Sequence, residues 1–487
     1  MTWQSPMTTL TTIWIALPFL VGFGIYLLPK LDRALALAVA STSIAYGCWQ
    51  LLAPADLTLA LLDRFGVTLM VDSLSGCFIL TNGLVTAAVV LYCWQTGKSA
   101  FFYTQAIILH GSVNSVFICA DFISVYVALE VISIAAFLLI AYPRSDRSIW
   151  VGLRYLFISN TAMLFYLIGA VLVYQANKSF AFSGLGAAPT EAVALIFMGL
   201  LTKGGIFVSG LWLPLTHSEA ETPVSALLSG VVVNTGIFPL VRCGLMVPEL
   251  LPMLQAFSVA TAFLGVSYAI VEKDTKRMLA ASTISQLGFV LVAPAAAGFY
   301  ALTHGLAKAA LFLIAGSLPS RSFQALQAQS IPRKLGLAIA IPSLSISGFP
   351  LIAGFAAKTL TLKDLAPPQM IVMTVASVGT AIAFSKFIFL PFKAQTVAVD
   401  IAKPTSGFWG AIMVLLGALI VATGLHLETY QIGNIIKANF TIGLGWLVYS
   451  LILKNLFLQL PKGIERLENL IGGMSLVLVS LFGMLLA

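Results

Sequence analysis

The chain has 487 residues, of which 59% are hydrophobic and only 9% charged, and its mean hydropathy is +1.00. Such a composition excludes a soluble globular protein and leaves no room for a separate soluble domain. The formal net charge of +8 would suit acidic partners, but the cations lie in loops between apolar runs, which is a topology signal, and nucleic-acid binding is not indicated.

Runs of about 20 apolar residues, each a bilayer thick at about 1.5 Å rise per residue, recur to the C-terminus. They predict an all-α polytopic membrane protein with about 14–16 transmembrane helices. In chain order the segments lie near residues 10–28, 34–53, 67–94, 101–119, 121–142, 150–174, 191–213, 224–246, 253–271, 278–297, 299–319, 335–363, 368–392, 407–426, 441–459 and 470–487. Strand-type alternation is not evident, which argues against a barrel. The opening Met-Thr-Trp-Gln-Ser-Pro-Met lacks the basic region of a cleavable signal, so the first run is expected to remain as a helix.

Counting the spans alternately places Lys30, Arg33, Lys98, Arg144, Arg147, Lys273, Lys276, Arg277, Arg321, Arg333, Lys334, Lys393, Lys403, Lys462 and Arg466 on one side. Only Arg64, Lys178, Lys363 and Lys437 fall on the other. The positive-inside rule assigns the first set to the cytoplasm or its equivalent, and both termini to the opposite side.

Within the run from Asp121 to Tyr142, Glu130 is the only acidic or basic residue near the centre. A charge at mid-membrane costs about 2.5–3.5 kcal/mol on insertion scales, so it normally faces a protein interior, a water path or an opposite charge. Lys203, Lys308 and Lys358 each lie in an apolar segment and are candidate partners. Two of them sit beside helix breakers: Lys203-Gly204-Gly205 leads on to Gly210 and Pro214, and Gly348, Pro350 and Gly354 precede Lys358. Interruptions in corresponding positions of two halves point to an ion path, because unwound backbone exposes carbonyls and half-helix ends. The structural alternative is a pair of kinks with glycine used for close packing.

Lysine suits such a path because a desolvated ammonium releases its proton readily, whereas arginine stays charged. A Glu130–Lys203 pair would then work as a switch, favouring the ammonium when close and releasing the proton when apart; a static buried ion pair is the alternative. His304 and Lys308, four residues apart, share a helix face and suit a proton relay, although a membrane histidine is as often a packing residue. Arg154 and Arg242 lie near span ends, where snorkelling suffices, and Lys386 is ambiguous.

Cys48, Cys77, Cys93, Cys119 and Cys243 are scattered singly without metal-site spacing. No G-x-G-x-x-G or P-loop pattern occurs, so no cofactor is expected on this chain and any redox chemistry would belong to another. His217, Glu219 and Glu221 on one short turn more often cap a helix and hold a loop than bind metal.

The run from Asn114 through Asp121 to Glu130, the segment Lys203–Gly230 with Trp-Leu-Pro-Leu-Thr-His-Ser-Glu-Ala-Glu-Thr-Pro, Glu272–Gly288, the His304/Lys308 helix and the Gly348–Lys358 break together carry a resemblance. The chain resembles the antiporter-like membrane subunits shared by Mrp-type Na+/H+ antiporters, NAD(P)H:quinone oxidoreductases and related hydrogenases. It looks most like the D-type subunit of the Mrp antiporters, with quinone-oxidoreductase chains 4 and 2 close behind. The resemblance implies two inverted five-helix repeats, each with one broken helix. It places flanking helices at 1–100, half-channels at 101–246 and 253–392, and further flanking helices at 393–487. It also implies a proton path in which Glu130 is the carboxylate of the fifth helix, Lys203 the central lysine, His304 and Lys308 the link, and Lys358 the exit lysine.

Two positions depart from the pattern: Asn234 stands where the family usually has Lys, and Tyr300 where some members have His. Asn234 holds water but carries no proton, so the relay there runs through water, conducts more slowly or is interrupted. The expected partners are other membrane subunits, H+, Na+ as a candidate exchanged ion, and lipid. The expected location is a bacterial inner membrane or thylakoid membrane. Asn439–Ala487 extends past the shared core and is a candidate contact for a neighbouring subunit. The alternative functions are a proton-pumping subunit of an oxidoreductase or hydrogenase-type complex, which leaves open whether the chain belongs to an enzyme, and a non-conducting structural or inorganic-carbon-uptake coupling subunit.

Overall fold

Inside hydrocarbon every backbone N–H and C=O must be satisfied by the protein itself, and a continuous apolar run does this most simply as a helix. The computed structural model describes residues 6–53, 56–62, 66–393, 404–452, 454 and 462–486 and is built almost wholly of helices. Among the described residues, eleven helices are long and apolar enough to cross a membrane, and the bent pair Thr190–Lys203 and Phe207–Glu219, meeting at 40°, supplies a twelfth. The remaining expected segments are also helical: Ala100–Val116, Thr275–Val292, the interrupted pair Arg333–Ser347 and Ala353–Lys363, and Ile432–Leu451. The spans Thr222–Met246 and Pro294–Ala315 are enclosed except near their ends and form the centre of the bundle. The first and last helices leave most of their surface uncovered.

Several boundaries differ from the sequence reading. Residues 67–71 do not begin a span but belong to an antiparallel hairpin, Leu57–Leu62 paired with Gly66–Val71 in the register Leu57↔Val71 and Leu62↔Gly66. Asp72 ends the second strand and starts the next helix, its carboxylate accepting from the Ser75 backbone N–H at 2.9 Å, so the N-cap sets the boundary. The penultimate helix begins at Ile432, nine residues before the expected 441. Its first turns carry Lys437 on an exposed face, which masks the helix from a hydropathy reading. Arg64, Lys403 and the end of the expected 441–459 span lie outside the described residues.

Ion pairs sort as the charge count predicts. Lys98–Glu221 (2.7 Å), Arg147–Glu219 (3.3 Å), Arg277–Glu272 (3.1 Å), Arg277–Glu465 and Arg321–Asp274 (2.9 Å) all join groups at the lysine- and arginine-rich ends. Asp72–Arg242 and His426–Glu428 lie at the opposite ends.

Arg242 does not snorkel. Its guanidinium is buried and forms a two-pronged pair with Asp72, Nη2 donating to Oδ1 at 2.7 Å and to Ser75 Oγ at 2.9 Å. Arg154 is also buried, donating to the Glu465 carbonyl, because the C-terminal segment folds over it. The fork of Arg242 ties the hairpin to the enclosed helix, and breaking one side of such a pair leaves an uncompensated charge. Replacing Arg242 with Met is therefore expected to lower stability by about 3 kcal/mol, read as a lower melting temperature of the purified chain.

Burial alone would push the Asp72 carboxyl up, but the Arg242 hydrogen bonds and charge, with the Ser75 N–H, hold it below the usual carboxylate range. A carboxyl lowered by folding contributes stability above its unfolded pKa, and this is lost as pH falls through the folded value. Wild type should therefore lose stability on acidification below the ordinary carboxylate range more steeply than Asp72→Asn, in parallel thermal melts.

Candidate functional site

The site begins where the helix Thr190–Lys203 stops. Gly205 adopts φ +69° and Phe207 φ 51°, so the chain turns out of the helix into a short 3-10 turn before Leu213–Glu219 resumes. An interruption at this depth survives only if the freed backbone groups find partners. The Thr202 carbonyl accepts from Trp212 Nε1 at 2.9 Å, and the Phe207 N–H donates to Thr261 Oγ1 at 3.0 Å. The break is thus held from within its own segment and from the neighbouring helix Leu251–Val271.

Lys203, the last residue of the helix, is buried. Its Nζ donates to Ser133 Oγ at 2.5 Å and to Ser159 Oγ, and these two hydroxyls lie 3.0 Å apart. The Tyr155 ring centroid is 5.7 Å from the ammonium. A cavity of about 10 Å³ lined by Tyr155, Ser159, Lys203 and Trp212 lies alongside, about the space one water needs. Ser133 is three residues after Glu130 on the helix Phe122–Ile140, hence on the same face. Among the described residues Glu130 and Lys203 form no ion pair within 4 Å, although the charge of each acts on the other. The direct pair considered from the sequence is replaced by an ammonium seated on two hydroxyls within a turn of the carboxylate.

Asn234 is buried at the start of the helix Asn234–Met246, immediately after a π-helical stretch, Leu228–Val232. Its Nδ2 donates to the Gly230 carbonyl at 3.1 Å, while its Oδ1 meets no donor among the described residues. The π stretch also presents Ser229, whose hydroxyl meets Thr283 Oγ1 at 2.7 Å. Thr283 donates to the Leu279 carbonyl at 2.9 Å, and Lys308 Nζ donates to the same carbonyl at 3.0 Å and to Ser282 Oγ. Ser229 and Thr283 therefore join the Asn234 region to Lys308 through groups that the sequence reading did not single out.

His304, one turn from Lys308, is fully enclosed, with neither ring nitrogen hydrogen-bonded to any of the described residues. Tyr300 donates to Gln286 Oε1 at 2.8 Å, and Gln286 Nε2 donates to Thr380 Oγ1 at 3.3 Å. The Tyr300 ring also stacks on Phe289 at 6.0 Å, and the Lys358 ammonium lies 5.1 Å from that Phe289 ring. Lys358 follows the second interruption, in which Gly348 takes φ +84° and Leu351 φ 81°. Lys386 is used differently, as a helix cap. Its Nζ donates to the Ala269 and Glu272 carbonyls at 3.0 and 2.8 Å, closing the C-terminal end of Leu251–Val271. His217 is buried with its ring between Trp212 and Phe312, while Glu219 and Glu221 pair with Arg147 and Lys98. Among the described residues no group of three or more His, Cys, Asp or Glu is placed to hold a metal ion.

The fold and these ionisable groups define a polytopic helical membrane protein with buried lysines, two of them at its broken helices. The family described as NADH:quinone oxidoreductase/Mrp antiporter, TM, matches residues 119–383, more than half of the chain, and the chain belongs to that family. The protein is an integral membrane protein. NAD(P)H-quinone oxidoreductase chain 4-3 of Nostoc sp. is 30% identical over 342 residues, 63% of this chain and 61% of the relative, so the match spans less than two thirds of that protein. The D subunit of the Na(+)/H(+) antiporter of Alkalihalophilus pseudofirmus is 26% identical over 438 residues, 78% of this chain and 85% of the relative. Among solved structures, a chain of the Mrp complex from Dietzia sp. shares the fold with a TM-score of 0.73 at 18% identity, covering 95% of this chain and 100% of that one.

The glycines at the first break are required by packing. A Cβ on Gly236 would collide with the Gly204 nitrogen, which is backbone and cannot move aside alone. Gly236→Ala is expected to cost about 1–3 kcal/mol and to push the two helices apart, lowering the melting temperature and loosening amide-exchange protection around residues 200–206.

Proposed function

We propose that the chain is a proton-translocating, antiporter-like subunit of a multisubunit membrane complex, most like the D-type subunit of Mrp antiporters. The observation that carries this reading is Lys203, which ends a broken helix on two serine hydroxyls within a turn of Glu130. Hydroxyls and carboxylate offer the ammonium two nearby seats, and only the second neutralises its charge. A shift between them changes proton occupancy without moving a helix far. In this reading residues 101–246 and 253–392 are two half-channels, joined by Ser229–Thr283 and Lys308, with His304 assisting and Lys358 leading outward. Asn234 passes protons through water held at its free Oδ1. Na+ is the candidate exchanged ion.

A second reading, a pumping subunit of a quinone oxidoreductase, is favoured by the 30% identity to the Nostoc chain 4 protein. Neither reading places redox chemistry on this chain.

Everted vesicles carrying the chain with its neighbouring subunits should show cation-induced loss of a pH gradient. Glu130→Gln and Lys203→Ala should abolish that signal while insertion and assembly persist, and unchanged signals in both would overturn the reading. Assembled vesicles with no Na+-, K+- or Li+-induced signal, but with quinone-dependent proton uptake that needs Glu130, would select the second reading. Asn234→Leu should slow translocation about tenfold, equivalent to ~1.4 kcal/mol, because leucine removes the water-holding amide. A rate equal to wild type would show that the path bypasses residue 234.

A further inference from the structure

Lys358 is housed unlike the other buried lysines. Its side chain runs along Gly348, where a Cβ would come 2.9 Å from Lys358 Cδ. The residue is only 6% exposed, and its ammonium makes no hydrogen bond or ion pair to the described protein. Lys203, Lys308 and Lys386 each have at least two oxygen acceptors, whereas Lys358 has only the face of Phe289.

The Lys358 side chain helps line a cavity of about 680 Å³ between Ala353–Lys363, Pro367–Ile388 and Ile432–Leu451. That size is ordinary for a ligand site. The charged residues lining it are Lys358, Lys363, Lys437 and Glu428. The single carboxylate is exposed and bound to His426 Nδ1 at 2.8 Å, so it does not neutralise the buried ammonium. Three lysines on low-dielectric walls make a positive funnel that concentrates anions and repels metal cations. Bicarbonate or halide fits such a funnel because it needs one compact cation and a nearby amide donor, which Gln431 supplies in chemical type on the same wall.

We propose that this cavity binds a small monovalent anion, of chloride or bicarbonate size, as the counter-ion of Lys358. The anion enters past Lys363 and Lys437 and settles against the Lys358 ammonium, neutralising a charge that no group among the described residues neutralises. The site does not depend on proton translocation, so its test reads binding.

The full chain in phosphatidylcholine nanodiscs, where lipid carries no net charge, is titrated with chloride, and the excess line width of the 35Cl resonance is followed. Gluconate holds the ionic strength constant, and bicarbonate and phosphatidylglycerol are added as competitors. Wild type should broaden the line saturably, and bicarbonate should reverse the broadening. Lys358→Met should remove it. The Lys363→Gln/Lys437→Gln pair, both exposed and outside the core, should weaken affinity about tenfold while leaving the melting temperature unchanged, which keeps the test valid if Lys358→Met does not fold. No excess broadening in wild type, equal broadening in Lys358→Met, or undiminished affinity in the paired variant would overturn the proposal. Displacement by phosphatidylglycerol but not by bicarbonate would assign the site to a lipid headgroup and overturn it too.

Discussion

A lysine ammonium inside a membrane bundle must be given oxygen, π density or an opposite charge within the protein, and most of the unusual features of this chain follow from that requirement. Lys203 receives two hydroxyls, Lys308 a carbonyl and a hydroxyl, and Lys386 two carbonyls at a helix end. Unwinding the helix beyond Lys203 brings its ammonium to Ser133 and Ser159 on two other helices. The same unwinding creates new backbone orphans, which Trp212 and Thr261 satisfy. A buried cation thus specifies a helix break, and the break specifies the residues that repair it.

The Asn234 region and Lys308 are linked through neutral polar groups. Between Asn234 and Lys308 lie Ser229, Thr283 and the Leu279 carbonyl, and none of them takes a full charge at ordinary pH. Beyond Lys308 the surroundings become aromatic, with Phe289 and Tyr300 stacked between the enclosed His304 helix and Lys358. Charge is therefore separated into islands by neutral or apolar spacers. In a low-dielectric interior, an excess charge on one island is felt by the next more strongly than it would be in water.

Much of this was legible in the sequence because membrane burial makes an ionisable residue conspicuous. Glu130, Lys203, Lys308 and Lys358 stand out against their apolar neighbours, and the glycines beside two of them mark the breaks. Ser133 and Ser159 did not stand out, since serine is common in membrane helices; the available clue was that Ser133 lies three residues from Glu130 on one face. The Asp72–Arg242 pair was invisible for a different reason: its partners are 170 residues apart, and Arg242 reads locally as a span-end charge. The hairpin was missed because its second strand, Gly66–Val71, is apolar enough to merge with the run that follows. Pattern reading locates lone charges well, but it cannot tell which distant backbone comes near them.

The glycine contacts add a mechanical consequence. At Gly204 and Gly236 the broken helix and the Asn234 helix touch backbone to backbone, and at Gly230 and Gly305 the same enclosed segment touches the helix carrying His304 and Lys308, where a Cβ on Gly305 would lie 2.7 Å from the Gly230 oxygen. At Gly236 the shortest approach is to backbone, and at Gly305 only the Thr81 methyl comes nearer than the Gly230 oxygen. Three helices are thereby geared together across the centre of the bundle, and a displacement at the first break is delivered to the Lys308 helix as motion of its main chain instead of being absorbed by rotamers along the way.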